Sequence, residues 1–142
     1  MAVVDLEMPE VRGLRVLIVD DDESFCRILR EFLDGLGCRP EYATSVAEAR
    51  KVLNRMTYDV VLLDYRFPEG DGLELLDSLR AEDGRTRGIP VVVISGRADP
   101  RAEANFLASG GLAWIRKPFS SGRLLEELRV VANARDRLEQ AT

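Results

Sequence analysis

The sequence predicts an α/β protein built on a doubly wound parallel sheet, and three observations carry that prediction. Short apolar runs recur along the chain, stretches with apolar residues at helical spacing alternate with them, and brief connections rich in Gly, Pro, Asp or Ser separate the two kinds of segment. Such an alternation implies parallel strands joined by right-handed helical crossovers, with helices covering both sheet faces. At 142 residues and 46% hydrophobic content, the chain suits one domain around a single core.

After a polar lead-in over residues 1–13, the run 14–19 is apolar and stops at Asp20, Asp21 and Asp22, as a buried strand would. Phe25, Ile28, Leu29, Phe32, Leu33 and Leu36 then follow a 3.6-residue period, with Gly35 and Gly37 as stop signals, so one amphipathic helix is expected. Residues 39–44 form a weak second strand. Ser45 and Glu48 have the spacing of a capping box ahead of Ala49, Val52, Leu53 and Met56, which marks the second helix. The third strand, 59–63, ends at Asp64; a loop through Pro68, Gly70 and Gly72 follows, and Leu73, Leu76 and Leu79 mark a third helix. A fourth run, 89–94, ends at Ser95 and Gly96, and Asp99-Pro100 has the form of an N-cap with proline at the first helical position. That fourth helix is Ala-rich and weakly amphipathic. A fifth strand over 112–115 is closed by Arg116, Lys117 and Pro118, and Ser120 or Ser121 caps a last helix with Leu124, Leu128, Val131 and Leu138 on one stripe. On this helix Arg123, Arg129, Arg135 and Arg137 are expected to form a solvated face or to pair with acids of a second subunit. Five strands alternating with five helices give the flavodoxin-like (βα)5 arrangement, strand order 2-1-3-4-5.

Composition narrows the chemistry. The chain has no histidine, which excludes Ser-His-Asp and Cys-His nucleophilic sites, His-ligated zinc and a phosphohistidine of its own. A formal net charge of −5 argues against direct nucleic-acid binding by this segment. Cys26 and Cys38 lack metal-pair spacing and are expected to be reduced thiols among apolar neighbours. The first ten residues lack a basic start followed by an apolar run, and no stretch approaches the ~20 apolar residues of a membrane span. A cytoplasmic protein without a membrane contact is expected.

In this fold the strand C-termini share one edge, and ligands bind beside the switch in strand order. Asp20 and Asp21, Asp64, Ser95 and Lys117 all fall there. Two carboxylates about 4 Å apart repel by roughly 4 kcal/mol at an effective dielectric of about 20, so an acidic trio calls for cations. Lys117 is one, and all-oxygen ligation points to Mg²⁺ as the other, with Mn²⁺ as a substitute. A metal and a lysine beside one carboxylate form an apparatus for phosphoryl transfer. Asp64, alone at the end of a central strand, is the best nucleophile; Asp20 and Asp21 hold the metal, which Asp64 also ligates; Lys117 and the Ser95 hydroxyl stabilise phosphoryl oxygens. Asp22 is the helix cap.

The segments Val19-Asp20-Asp21-Asp22-Glu23, Leu63-Asp64-Tyr65-Arg66-Phe67-Pro68-Glu69-Gly70-Asp71-Gly72, Val93-Ile94-Ser95-Gly96-Arg97 and Trp114-Ile115-Arg116-Lys117-Pro118-Phe119 closely resemble, in order and spacing, those of response-regulator receiver domains of two-component signalling. The resemblance covers residues 14–135 and places a receiver domain over 14–139, with 140–142 as a tail. It implies that Asp64 is the phosphoacceptor, that Asp21 ligates Mg²⁺ with Asp20 nearby or through water, and that the Arg66 backbone carbonyl completes the protein ligands. It further implies a cis Lys117-Pro118 bond and switch roles for Ser95 and Trp114, whose movement remodels the face of the fourth helix, fifth strand and fifth helix. The donor would be a histidine kinase or histidine phosphotransfer protein, the phosphorylated state would lose its phosphoryl group slowly by its own action, and a phosphorylation-dependent homodimer is compatible with the family.

Three residues depart from the commonest family pattern: Phe67 stands where methionine is frequent, Gly111 where alanine is usual, and Trp114 where tyrosine or phenylalanine is typical. Trp114 is bulkier and is expected to be harder to bury, limiting the switch. Arg66, two residues after the acceptor, is expected to influence the lifetime of the phosphorylated state. Two rival functions stand beside this one. A haloacid-dehalogenase-type phosphatase would use Asp20-Asp21-Asp22 as an Asp-x-Asp nucleophile motif, but needs an acidic strand end after its lysine, and Lys117 is followed only by a helix. A receiver-like binding module that is never phosphorylated would not need its acids, Ser95 and Lys117 intact.

Overall fold

The computed structural model describes residues 8–67, 70–81 and 88–141. A short 3-10 turn, Pro9–Val11, leads into β1 (Arg15–Val19), α1 (Glu23–Gly35), β2 (Arg39–Ala43), α2 (Val46–Arg55) and β3 (Val60–Asp64). Two short strands, β4 (Arg66–Phe67) and β5 (Gly70–Asp71), precede α3 (Leu73–Ala81), β6 (Val91–Ser95), α4 (Pro100–Ala108), β7 (Ala113–Arg116) and α5 (Ser121–Ala141). The lead-in before Met8, Pro68 and the segment around Gly84 lie outside the described residues.

The long strands form one parallel sheet in the order β2-β1-β3-β6-β7. With the two short strands left out of the count, this is the expected 2-1-3-4-5 order. Where a plain loop was expected after Asp64, β4 and β5 pair antiparallel, Arg66 opposite Asp71 and Phe67 opposite Gly70. This small ribbon lies directly after the end of β3 at Asp64.

Side chains of a strand alternate between faces, and here the alternation divides the expected single core into two. Val16, Ile18, Val60, Leu62, Val92, Ile94, Ala113 and Ile115 face α1 and α5, packing on Leu29, Leu33, Leu124 and Leu128. Leu17, Val19, Val61, Leu63, Val91, Val93 and Trp114 face the other side with Leu53, Leu75, Leu79 and Phe106. The doubly wound fold requires this: a central parallel strand is buried on both faces, so its sequence is a continuous apolar run. Edge strand β2 is the weak one in sequence because only its last residue, Ala43, is fully buried.

Caps fix where the helices start. Asp22 accepts from the Phe25 N–H (3.1 Å), Ser45 from the Glu48 N–H (3.1 Å), Asp99 from the Ala102 N–H (3.1 Å) and Ser120 from the Arg123 N–H (3.1 Å). Gly37, at φ +95°, ends the α1 segment in the left-handed region that glycine favours. Leu138 departs from its expected place in the core stripe: it is exposed, because α5 runs on past the residues it packs against. Three of the four arginines named on α5 pair within the chain, Arg129 with Glu10 (2.9 Å), Arg123 with Glu127 (3.2 Å) and Arg135 with Asp59 (3.6 Å). Both cysteines are free and buried, as expected.

Candidate functional site

The acidic edge is assembled by strand register. β1 pairs with β3, aligning Val19 with Leu63, so Asp20 follows directly beside the end of β3. Asp20, Asp21 and Asp64 each offer a carboxylate oxygen within 4.8 Å of the others. Asp20 is buried, Asp64 half-buried and Asp21 exposed, a gradient running from the protein interior out to solvent.

Asp20 anchors the group. Its Oδ2 accepts from Lys117 Nζ at 2.9 Å and its Oδ1 from the Asp22 N–H at 2.9 Å. A buried carboxylate without such partners would be costly. Lys117 reaches it from the other end of the sheet edge, beyond β7 and immediately before a cis Lys117-Pro118 bond. The Lys117 N–H donates to the Ser95 carbonyl (2.7 Å), tying the ends of β6 and β7 together.

Asp64 has its pKa pushed up to about 6, first by burial and then by the Asp20 charge, with Asp21 adding to both; Lys117 and the Arg66 N–H pull the other way. Lys117 alone therefore leaves the trio short of positive charge. Three oxygen donors of this kind suit a hard divalent cation, which takes a few carboxylates plus water. The Cys26 thiol, whose Sγ–H donates to the Asp20 carbonyl at 3.3 Å, is pushed up to about 12, mainly by burial. It is an inert neighbour and not a nucleophile.

Gly72 brings the chain back against Asp64. Its N–H donates to the Tyr65 carbonyl (2.6 Å), and a Cβ at this position would overlap the Asp64 carbonyl oxygen.

The remaining expected site residues are placed less directly. Ser95 ends β6 next to the acids in sequence register, but its hydroxyl donates to the Arg97 carbonyl (3.2 Å) and accepts from the Arg97 N–H (3.1 Å). The hydroxyl is turned into its own loop. The Arg66 guanidinium lies over the Tyr65 ring at 5.5 Å.

Trp114 reverses the expectation that it resists burial: only 7% of it is exposed. Its ring lies tilted against Tyr65 (5.1 Å between centroids, 53° between planes) and meets Phe106 edge-on (5.9 Å). Gly111 makes the room, since a Cβ there would overlap the Phe106 ring. The two departures, glycine for alanine and tryptophan for a smaller ring, thus compensate one another. Trp114 Nε1 has no hydrogen-bond partner among the described residues.

Two features carried no signal in the sequence reading. Phe25 presents its ring face to Lys117 Nζ at 4.1 Å. The Tyr65 hydroxyl donates to Asp99 Oδ2 at 3.3 Å, joining the residue after Asp64 to the cap of α4. The spacing of Phe25 from the Asp22 cap was visible, but only the fold brings it over a residue so distant in sequence.

A family model described as the response regulator receiver domain matches residues 16–129. The chain is 33% identical over 115 residues to the KDP operon transcriptional regulatory protein KdpE of Escherichia coli, covering 81% of this chain and 49% of that protein. It is 32% identical over 117 residues to the phosphate regulon transcriptional regulatory protein PhoB of Klebsiella pneumoniae, covering 82% of this chain and 51% of the relative. Among solved structures, the receiver domain of the Francisella response regulator 1452 superposes with a TM-score of 0.77 at 26% identity, covering 86% of this chain and 98% of that one. The chain therefore belongs to the response regulator receiver domain family of two-component signalling. It spans about half the length of the curated relatives it matches. Among the described residues, no helix is long and apolar enough to cross a membrane.

Proposed function

We propose that this chain is a phosphoryl-accepting signalling switch in which Asp64 takes a phosphoryl group from the phosphohistidine of a histidine kinase or phosphotransfer protein. The observation that carries the reading is the acidic trio with Lys117 bonded to its most buried member at 2.9 Å. An Asp64 carboxylate oxygen attacks phosphorus in line; the new O–P bond forms as the donor's N–P bond breaks, and the leaving imidazole keeps the electron pair. Asp20 and Asp21, with the Arg66 backbone carbonyl, would hold Mg²⁺ beside the acceptor, and Mn²⁺ would serve in its place. When bound, the metal supplies positive charge against the developing phosphoryl charge. Lys117 would stabilise another phosphoryl oxygen.

Ser95 and Trp114 are the switch pair. For Ser95 to donate to a phosphoryl oxygen, its hydroxyl must leave the Arg97 carbonyl. Because Trp114 is already inward, the hydroxyl and the loop before α4 carry most of the change, and the Tyr65–Asp99 hydrogen bond conveys it to the α4 cap. The face of α4, β7 and α5 would then change shape for a downstream protein or domain, or for a second copy of the chain. Arg66, exposed two residues after Asp64, would tune slow self-dephosphorylation.

The test is incubation with Mg²⁺ and acetyl phosphate, followed by intact mass, for wild type and Asp64→Ala. A Mg²⁺-dependent phosphoryl adduct on wild type alone is expected. An adduct independent of Asp64, or none at all, overturns the reading.

A further inference from the structure

The geometry points to Phe25 as a positioning residue for phosphoryl transfer, its ring face orienting the Lys117 ammonium toward Asp64; this rests on the proposed function of that site. Phe25 has no polar atom and touches no reacting group, yet Lys117 Nζ stands 4.1 Å from its ring centroid, well within cation–π range.

The ring is itself fixed on two sides. Asp22, as N-cap of α1, accepts the Phe25 N–H and so sets where the side chain leaves the helix. Phe119, two residues past Lys117, meets the ring edge-on at 6.4 Å and 82°. The ammonium is thus bounded by the Asp20 carboxylate at 2.9 Å and by an aromatic face. Lysine has three donors on a flexible stem. Asp20 takes one and the ring limits rotation of the rest, which favours an N–H aimed at the acidic cluster. The same ring keeps water from one side of the ammonium and so strengthens its attraction for incoming phosphoryl oxygens.

This role is separable from mere packing. Leucine and methionine can fill the site without a π face, whereas tryptophan and tyrosine restore one. With acetyl phosphate and Mg²⁺, Phe25→Leu and Phe25→Met should lower the maximal phosphorylation rate roughly 3- to 30-fold, the range of a partly desolvated cation–π contact. Half-saturating donor concentration and Mg²⁺ affinity should change less than about twofold, because the ring contacts neither. Phe25→Trp or Phe25→Tyr should recover most of the rate. In a Lys117→Ala background, Phe25→Leu should cause no further loss, since its effect runs through the ammonium. A small donor is used so that no protein docking surface enters the measurement.

Wild-type rates in both aliphatic variants overturn the positioning role while leaving the proposed function intact. So does an equal loss in the Lys117→Ala background, or aromatic variants no faster than the aliphatic ones. A wild-type protein that takes no phosphoryl group overturns both.

Discussion

Asp64 holds its charge against its surroundings. Its folded pKa, raised to about 6 mainly by burial and then by Asp20, exceeds its ordinary value of 3.8. The sign follows: the folded state binds this proton more tightly than the unfolded one, so the contribution to stability is full below pH 3.8 and is lost as pH rises through about 6. Without divalent metal, Asp64→Asn should therefore be more stable than wild type at pH 7, by about 1–2 kcal/mol once partial exposure is allowed for. The gain should shrink as pH falls from 7 to about 5, as denaturant melts across that range would read. Gly72 is constrained from a different cause. A methyl group there meets backbone, which cannot swing aside, so Gly72→Ala should cost more than about 2 kcal/mol by the same melts and slow phosphorylation through a displaced Asp64 carbonyl.

At the level of elements, β7 and α4 share an aromatic interior that depends on a missing methyl group. Gly111→Ala should push the Phe106 ring outward and loosen Trp114 with it, at a cost of about 1–3 kcal/mol. As the chain has one tryptophan, its emission should shift to the red and its quenching by acrylamide should rise; unchanged spectra would refute this packing account. The elements themselves were largely legible in the sequence. Each central strand is buried on both faces and so announces itself as an apolar run, and each cap at Asp22, Ser45 and Asp99 stands where its helix begins. The acids, Ser95 and Lys117 were legible for a related reason, since in a parallel sheet the end of every strand is the same edge. What was illegible depends on side-chain contact between distant segments. The Phe25–Lys117 contact joins the start of α1 to the end of β7, and the burial of Trp114 depends on Gly111 and Phe106 together. The β4–β5 ribbon went unseen because two-residue strands carry no periodicity.

For the whole molecule, the acidic edge is a local excess of negative charge within a chain of net charge −5. A ligand that binds only the folded state stabilises it by about 2.7 kcal/mol at a hundred times its dissociation constant. Mg²⁺ should accordingly raise the melting temperature of wild type by several degrees, and Asp21→Asn should remove most of that shift while melting normally without metal. The two-sided core gives another expectation. Val131 and Leu79 lie on opposite faces of the sheet, so Val131→Ala and Leu79→Ala should add in their cost to stability to within about 0.5 kcal/mol. That separation has a consequence for signalling. Phe25 and Phe119, which frame Lys117, pack with the α1/α5 side, whereas Trp114, Tyr65 and Phe106 belong to the α2/α3/α4 side. Under the proposed function, the side that readies the chemistry and the side that reports it are insulated by a wall of strands, and they meet at the carboxylates along its rim. Substitutions in one compartment could then alter how fast the signal is written without altering how it is read.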